Sequence, residues 1–151
     1  MKNEEKKIDS NFDHKKFGRK IGYLISAVMQ IIFITVINKY YPEMKFLTSD
    51  FSKFLWAFNV AVFVSVMVDI ILIFYDAYRF KAFLGLFKNI FSWRAFYILY
   101  VTFPFDFSKT DYSQGKITVK TVIIIILAGV SIGIIVDFFK LVLGKKEPKK
   151  S

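Results

Sequence analysis

Long apolar stretches alternate with short charged segments along this chain. Residues 21–38 carry no charge, and residues 54–75 carry only one, Asp69. Residues 117–143 form a third apolar stretch, in which Asp137 is the only charge between Lys120 and Lys140. Because about 20 apolar residues in a helix cross the hydrocarbon core of a bilayer, each stretch predicts a transmembrane helix.

The segment 76–105 has two interpretations. Its first part places Lys81, Lys88 and Arg94 among aromatic residues, which is typical of a helix lying at the membrane surface. In the second interpretation, a helix over 83–105 spans the bilayer, with the Lys88 side chain extending to the headgroups and Arg94 inside the membrane. Only this second interpretation puts 16 of the 22 Lys and Arg residues on one side, and basic residues accumulate on the cytoplasmic side.

The sequence therefore predicts an all-α fold. The protein is expected to be a polytopic membrane protein, a bundle of four transmembrane helices with both termini in the cytoplasm. We expect a basic tail over 1–20, helices at about 21–38, 54–78, 83–105 and 117–143, an outer loop over 108–116, and a second basic tail over 144–151. A signal peptide is the alternative for the first helix, but the long charged leader without a cleavage site argues against it. The expected location is the cell membrane.

Composition limits the chemistry. The 151 residues are 55% hydrophobic and contain no Cys and one His, so disulfides are excluded and the usual zinc or iron sites nearly so. No nucleophile–histidine pairing, phosphate-binding glycine loop or cofactor motif is present in the sequence, so we expect no enzyme and no cofactor. The net charge of +10 lies at the ends of apolar spans, which favours a membrane over nucleic acid.

Small residues recur at every fourth position in the second and fourth predicted helices. They are Ala57, Ala61 and Ser65 in one, and Gly129 and Gly133 in the other. Small side chains at this spacing allow two helices to approach closely. We therefore predict that these two faces pack against each other.

Polar residues fall at similar depths in the four helices. Counted from the cytoplasmic ends at about 1.5 Å per residue, Gln30, Asp69 and Arg94 lie roughly 13–17 Å deep and Asp137 roughly 9 Å. We predict one intramembrane polar layer in which Arg94 is the cation for the two acids. A structural salt bridge that fixes helix register is the favoured interpretation, and a proton or cation pathway or a charge-pair switch is the alternative. A protonated, inactive Asp69 is a further open interpretation.

Three short motifs follow one another in the middle of the chain: DAYRFKAF at 76–83, FSWRAF at 91–96 and FPFD at 103–106. With them, residues 20–106 resemble the first three helices of voltage-sensor domains in the ion-channel superfamily. It implies that an acid of the second helix, matched here by Asp69 or Asp76, faces the third and fourth helices. The pattern departs at Asn89 and Arg94, where an acid is expected, and the fourth helix contains no arginine.

The favoured function is that of a non-catalytic integral membrane protein acting through helix association, as an accessory, regulatory or immunity-type subunit. Its partners would be another membrane protein or a second copy of the chain. The alternative is a small ion- or proton-conducting or voltage-sensor-like protein. Anionic lipid is a further expected partner, at the four lysines of the C-terminal tail, Lys145, Lys146, Lys149 and Lys150.

Overall fold

Four long helices make up the described part of the protein, and no β-strand longer than an isolated bridge occurs in it. The structure is a computed structural model that describes the backbone of residues 2–44, 46–107 and 115–144, and side chains from residue 17 onward within these ranges. The helices are α1 (Lys2–Tyr40), α2 (Phe51–Phe74), α3 (Tyr78–Thr102) and α4 (Gly115–Leu143), and a short 3-10 turn covers Tyr41–Glu43. The all-α prediction is confirmed.

Three helices of the described part are long and apolar enough to cross a membrane, as judged by length and composition. They are Phe17–Glu43, Phe51–Phe74 and Gly115–Leu143. The third predicted span, α3, does not meet the same criterion, because Lys81, Lys88 and Arg94 interrupt it. The coarser prediction of a membrane protein is therefore supported by three helices.

Several helix boundaries differ from the sequence-based prediction, including the end of α2, which stops at Phe74 rather than at residue 78. The α1 backbone is helical from Lys2, through the segment expected to be a tail, and α3 begins at Tyr78, five residues before the predicted start. At its other end α3 stops at Thr102, because Phe103 adopts a left-handed conformation (φ 38°) and Pro104 follows it. A residue before proline is disfavoured in the α region, so the helix ends there.

Each helix packs against its neighbours in the chain. Backbone contacts join α1 to α2, α2 to α3 and α3 to α4, whereas within the described ranges neither α1 and α4 nor α2 and α4 approach within 8 Å between Cα atoms. The largest buried apolar cluster contains Phe51, Phe54, Leu55, Leu99 and Ile123. The α2–α3 pair is therefore the centre of the fold, and α1 and α4 lie at its flanks.

Two connecting segments join at the end of the bundle farthest from the chain termini. The backbone N–H of Thr48 donates to the carbonyl of Pro104 at 3.0 Å, and the N–H of Asp106 donates to the carbonyl of Phe46 at 2.8 Å. Between them Leu47 and Phe105 form an antiparallel bridge. We call residues 46–48 and 104–106 the latch. It places the end of α3 beside the connection between α1 and α2.

Candidate functional site

Asp69 is a buried acid that joins three helices. Its side chain, on α2, is only 4% exposed. From α1, the Ser26 hydroxyl donates to Oδ2 at 2.7 Å and the Gln30 amide donates to the same oxygen at 2.8 Å. From α3, the Lys88 ammonium lies 3.0 Å from Oδ1. Both carboxylate oxygens are thus engaged, and the ion pair offsets part of the cost of burying the charge.

The cation that pairs with Asp69 is Lys88, which corrects the expected pairing with Arg94. Because α3 begins five residues earlier than predicted, Arg94 lies about 7.5 Å farther along the helix than the depth estimate assumed. Lys88 lies ten residues after the start of α3, and its side chain leans toward that start, as helical side chains do. Its long stem therefore brings the ammonium to the level of Asp69.

Arg94 lies on the outer face of α3, where it is exposed and forms no ion pair with a residue that the structure describes. The same helical face carries Phe87, Ile90 and Tyr97, which are 47%, 48% and 47% exposed. The arginine is therefore surrounded on the surface by apolar and aromatic side chains.

Asp137 is held by α3 as well as by its own helix. The Asn89 amide donates to Oδ2 of Asp137 at 3.0 Å, and the Lys140 ammonium lies 3.0 Å from Oδ1. Two glycines make this approach close: a Cβ on Gly85 would lie 2.7 Å from Asp137 Oδ2, and a Cβ on Gly133 would lie 3.1 Å from Asn89 Nδ2. The Asn89–Asp137 hydrogen bond therefore lies between two glycines, and a second hydrogen bond, from the Trp93 indole N–H to the Ser131 hydroxyl at 3.2 Å, also joins α3 to α4.

The small residues expected to face one another lie in different contacts, because α2 and α4 have no backbone contact in the described ranges. Ala57 and Ala61 pack against Ala95 of α3, and Ser65 is buried on the same side of α2. On α4, a Cβ added to Gly129 would meet no atom within 4 Å. The predicted close packing of α2 against α4 is thus replaced by separate α2–α3 and α3–α4 contacts.

A polar cavity of about 400 Å³ lies among the four helices, toward the end at which α2 stops and α3 begins. Its charged lining consists of Lys81, Lys88, Lys140, Asp69 and Asp137. The remaining lining includes Tyr23 and Tyr78 from α1 and α3, together with apolar residues of α2. The predicted polar residues Asp69 and Asp137 therefore line one space. Gln30 lies outside it, linked through Asp69, and Arg94 is turned away.

Two further polar contacts, one from α1 to α2 and one from α1 to the segment between α2 and α3, were missed in the sequence. Asn38 and Asn59 exchange side-chain hydrogen bonds of 2.9 and 3.0 Å, and Arg19 forms an ion pair with Asp76 at 2.8 Å. Asn59 is a polar residue within an otherwise apolar span, which was the available signal. Every buried side-chain polar atom in the described part has a hydrogen-bond partner.

The described residues hold no cluster of three or more acidic or histidine side chains that could bind a metal ion. The four lysines of the C-terminal tail lie outside the described residues, as does most of the loop predicted over 108–116. Comparison of the chain with protein-family models, with curated protein sequences and with solved structures gives no match.

Proposed function

We propose that this protein is a four-span membrane subunit, with both termini in the cytoplasm of the cell, that acts without catalysis by binding a partner helix within the bilayer. The observation that carries the proposal is the exposed Arg94 on an apolar face of α3. The acids Asp69 and Asp137 already have ion-pair partners, so the arginine is left for an external contact.

The position of Arg94 makes exposure to lipid unfavourable. It lies eight residues before the end of α3, about 12 Å from the nearer helix end. A charged side chain near the centre of a membrane helix costs about 2.5–3.5 kcal/mol on insertion scales. A partner that supplies a counter-ion reduces this cost, and polar contacts of this kind hold membrane helices together.

The chemistry of the contact selects the partner. A guanidinium surrounded by aromatic side chains favours a transmembrane helix that carries a carboxylate. Packing two copies of this face about a two-fold axis would bring two Arg94 side chains together, and like charges repel. The acids Asp69 and Asp137 are engaged inside their own chain. A different membrane protein with an acidic span is therefore the proposed partner, in an accessory, regulatory or immunity-type role.

The latch supports a spanning α3. It joins the end of α3 to the connection between α1 and α2, so these two points lie on the same side of a membrane that α1 and α2 cross. Helix α3 has 25 residues, about 37 Å, and begins beside the end of α2. With four spans, 16 of the 22 basic residues share the cytoplasmic side.

Site-specific photocrosslinking in native membranes tests the association. A photoreactive residue at Ile90, 48% exposed beside Arg94, should give a discrete protein adduct, whereas the same residue at Ile124 of α4, 50% exposed, should give lipid adducts. Losing one member of a buried charge pair costs about 2–5 kcal/mol, so Arg94→Gln should lower the adduct more than tenfold. Arg94→Lys should retain part of it. Lipid adducts alone at Ile90, or an adduct unaffected by Arg94→Gln, would refute the proposal.

Accessibility labelling tests the topology separately. Single cysteines replace four serines spread along the chain, Ser10, Ser49, Ser113 and Ser151. The first and last should react only from the cytoplasmic side, and the middle two from outside. Labelling of the last cysteine from outside would leave three spans and place α3 at the membrane surface.

One observation favours ion or proton conduction as the second candidate. A second cavity, of about 80 Å³, is lined by Gln30, Ser65 and Ser92. Ser65 lies one helical turn before Asp69 on α2, and Asp69 lines the 400 Å³ cavity. Phe58 and Ala61 also line the second cavity. Reconstituted liposomes should show flux under an imposed gradient that Asp69→Asn abolishes. Absence of flux in the natural protein would exclude this candidate.

A further inference from the structure

The 400 Å³ cavity carries an excess of positive charge. Three lysines and two aspartates line it. Lys88 and Lys140 form ion pairs with Asp69 and Asp137, but Lys81 has no carboxylate partner among the described residues. Its ammonium lies 5.2 Å from the centre of the Tyr23 ring instead. The cavity is thus complementary to a ligand with one negative charge.

The position of the cavity matches the level of lipid headgroups. Its lining extends from the first residue of α3, Tyr78, to Lys88, which lies about 15 Å farther along the helix. On α4 the lining includes Lys140, three residues before the helix ends at Leu143. One side of the space is therefore at the ends of the helices, and the other reaches the buried ion pair.

The helix arrangement leaves α1 and α4 apart beside the cavity. Tyr23 of α1 and Lys140 of α4 line the same cavity, yet α1 and α4 have no backbone contact within the described ranges. A lipid can therefore place its headgroup between these helices while its acyl chains remain in the bilayer. Basic pockets between membrane helices near the cytoplasmic surface bind anionic headgroups in this way.

We infer that this cavity binds a phosphate monoanion, supplied by the headgroup of an anionic phospholipid, with Lys81 as the principal cation. A phosphodiester group carries a single charge, which matches the single excess positive charge of the lining. The site is separate from the lysines of the C-terminal tail and from the Arg94 face, so it stands or fails independently of the proposed association.

Thermal unfolding of the full chain in nonionic detergent tests the site. Dioctanoyl-phosphatidylglycerol should raise the unfolding temperature, because a ligand that binds only the folded state stabilises it. Lys81→Gln should weaken the apparent affinity roughly fivefold, the effect of about one basic residue at a lipid surface. Lys81→Arg keeps the charge and should retain binding. The matched control is Lys39→Gln, because Lys39 lies 5.5 Å from the centre of a tyrosine ring at the opposite end of the bundle.

Two further ligands distinguish the sources of phosphate. Dioctanoyl-phosphatidylcholine, which has no net charge, should stabilise the protein much less than phosphatidylglycerol. Inorganic phosphate giving an equal, Lys81-dependent shift would retain the phosphate site but reject lipid as its source. No shift with phosphatidylglycerol, an equal shift with phosphatidylcholine, or an apparent affinity for phosphatidylglycerol that Lys81→Gln leaves unchanged would overturn the inference.

Discussion

Removing the cation of the buried ion pair should destabilise the bundle more than neutralising the acid. Lys88→Met leaves Asp69 with only Ser26 and Gln30 as donors, in a position where its side chain is 4% exposed. Stranding a buried charge costs about 3–5 kcal/mol, and the two remaining donors put the expected loss near the lower limit, about 3 kcal/mol. Asp69→Asn leaves Lys88, whose side chain is 31% exposed to the cavity, so about 1–2 kcal/mol is expected.

Unfolding by sodium dodecyl sulfate in mixed micelles measures these free energies, and a double-mutant cycle isolates the pair. The double variant Asp69→Asn, Lys88→Met should be more stable than the sum of the single losses implies, by at least about 1 kcal/mol. Arg94→Gln is the control, because Arg94 is exposed on the outer face of α3 and forms no ion pair with Asp69, so it should show no coupling to Asp69. A loss in Lys88→Met no larger than in Asp69→Asn, or a coupling to Arg94, would refute the reasoning.

Two other predictions follow from the helix contacts. Gly133→Leu should lower the yield of folded protein or cost at least about 1–3 kcal/mol, because its Cβ would press on the amide of Asn89. Gly129→Leu should be tolerated, because a Cβ there meets no atom within 4 Å. Equal yields of the two variants in a detergent-extraction assay would contradict this prediction. Asn59→Ala should cost about 1–2 kcal/mol, because the side-chain oxygen of Asn38 loses its donor while the Asn38 amide keeps the Ile34 carbonyl as an acceptor. Unfolding should show that adding Asn38→Ala costs little more, and additive losses would argue against the paired amides.

Apolar length and polar depth were sufficient to predict part of this structure. The three apolar stretches became α1, α2 and α4, and the shared depth of Gln30 and Asp69 was matched by a hydrogen bond between them. Both predictions depend on quantities that sequence contains directly: the number of apolar residues needed to cross a bilayer and the rise per residue of a helix.

The level of α3 along the bundle and the neighbour of each helix were much harder to predict. A five-residue error in the start of α3 changed the level of every later residue by about 7.5 Å, so Arg94 was assigned the position that Lys88 occupies. Helix adjacency posed the same difficulty, since Gly133 has the spacing for close packing whether it faces α2 or Asn89 of α3. Spacing identifies a face of a helix but contains no information about its partner.

The latch has a consequence for the order of synthesis. Its two segments end at residue 106, so α1, α2, α3 and the latch can all be in place before α4 has been made. About 37 residues then remain to the end of α4 at Leu143, which takes roughly 2–7 s at 5–20 residues per second. During that interval Asn89 has no Asp137 to bind, and Asp137 does not yet cover the backbone at Gly85. The three-helix intermediate therefore exposes a polar site on α3, and α4 covers this site when it is added.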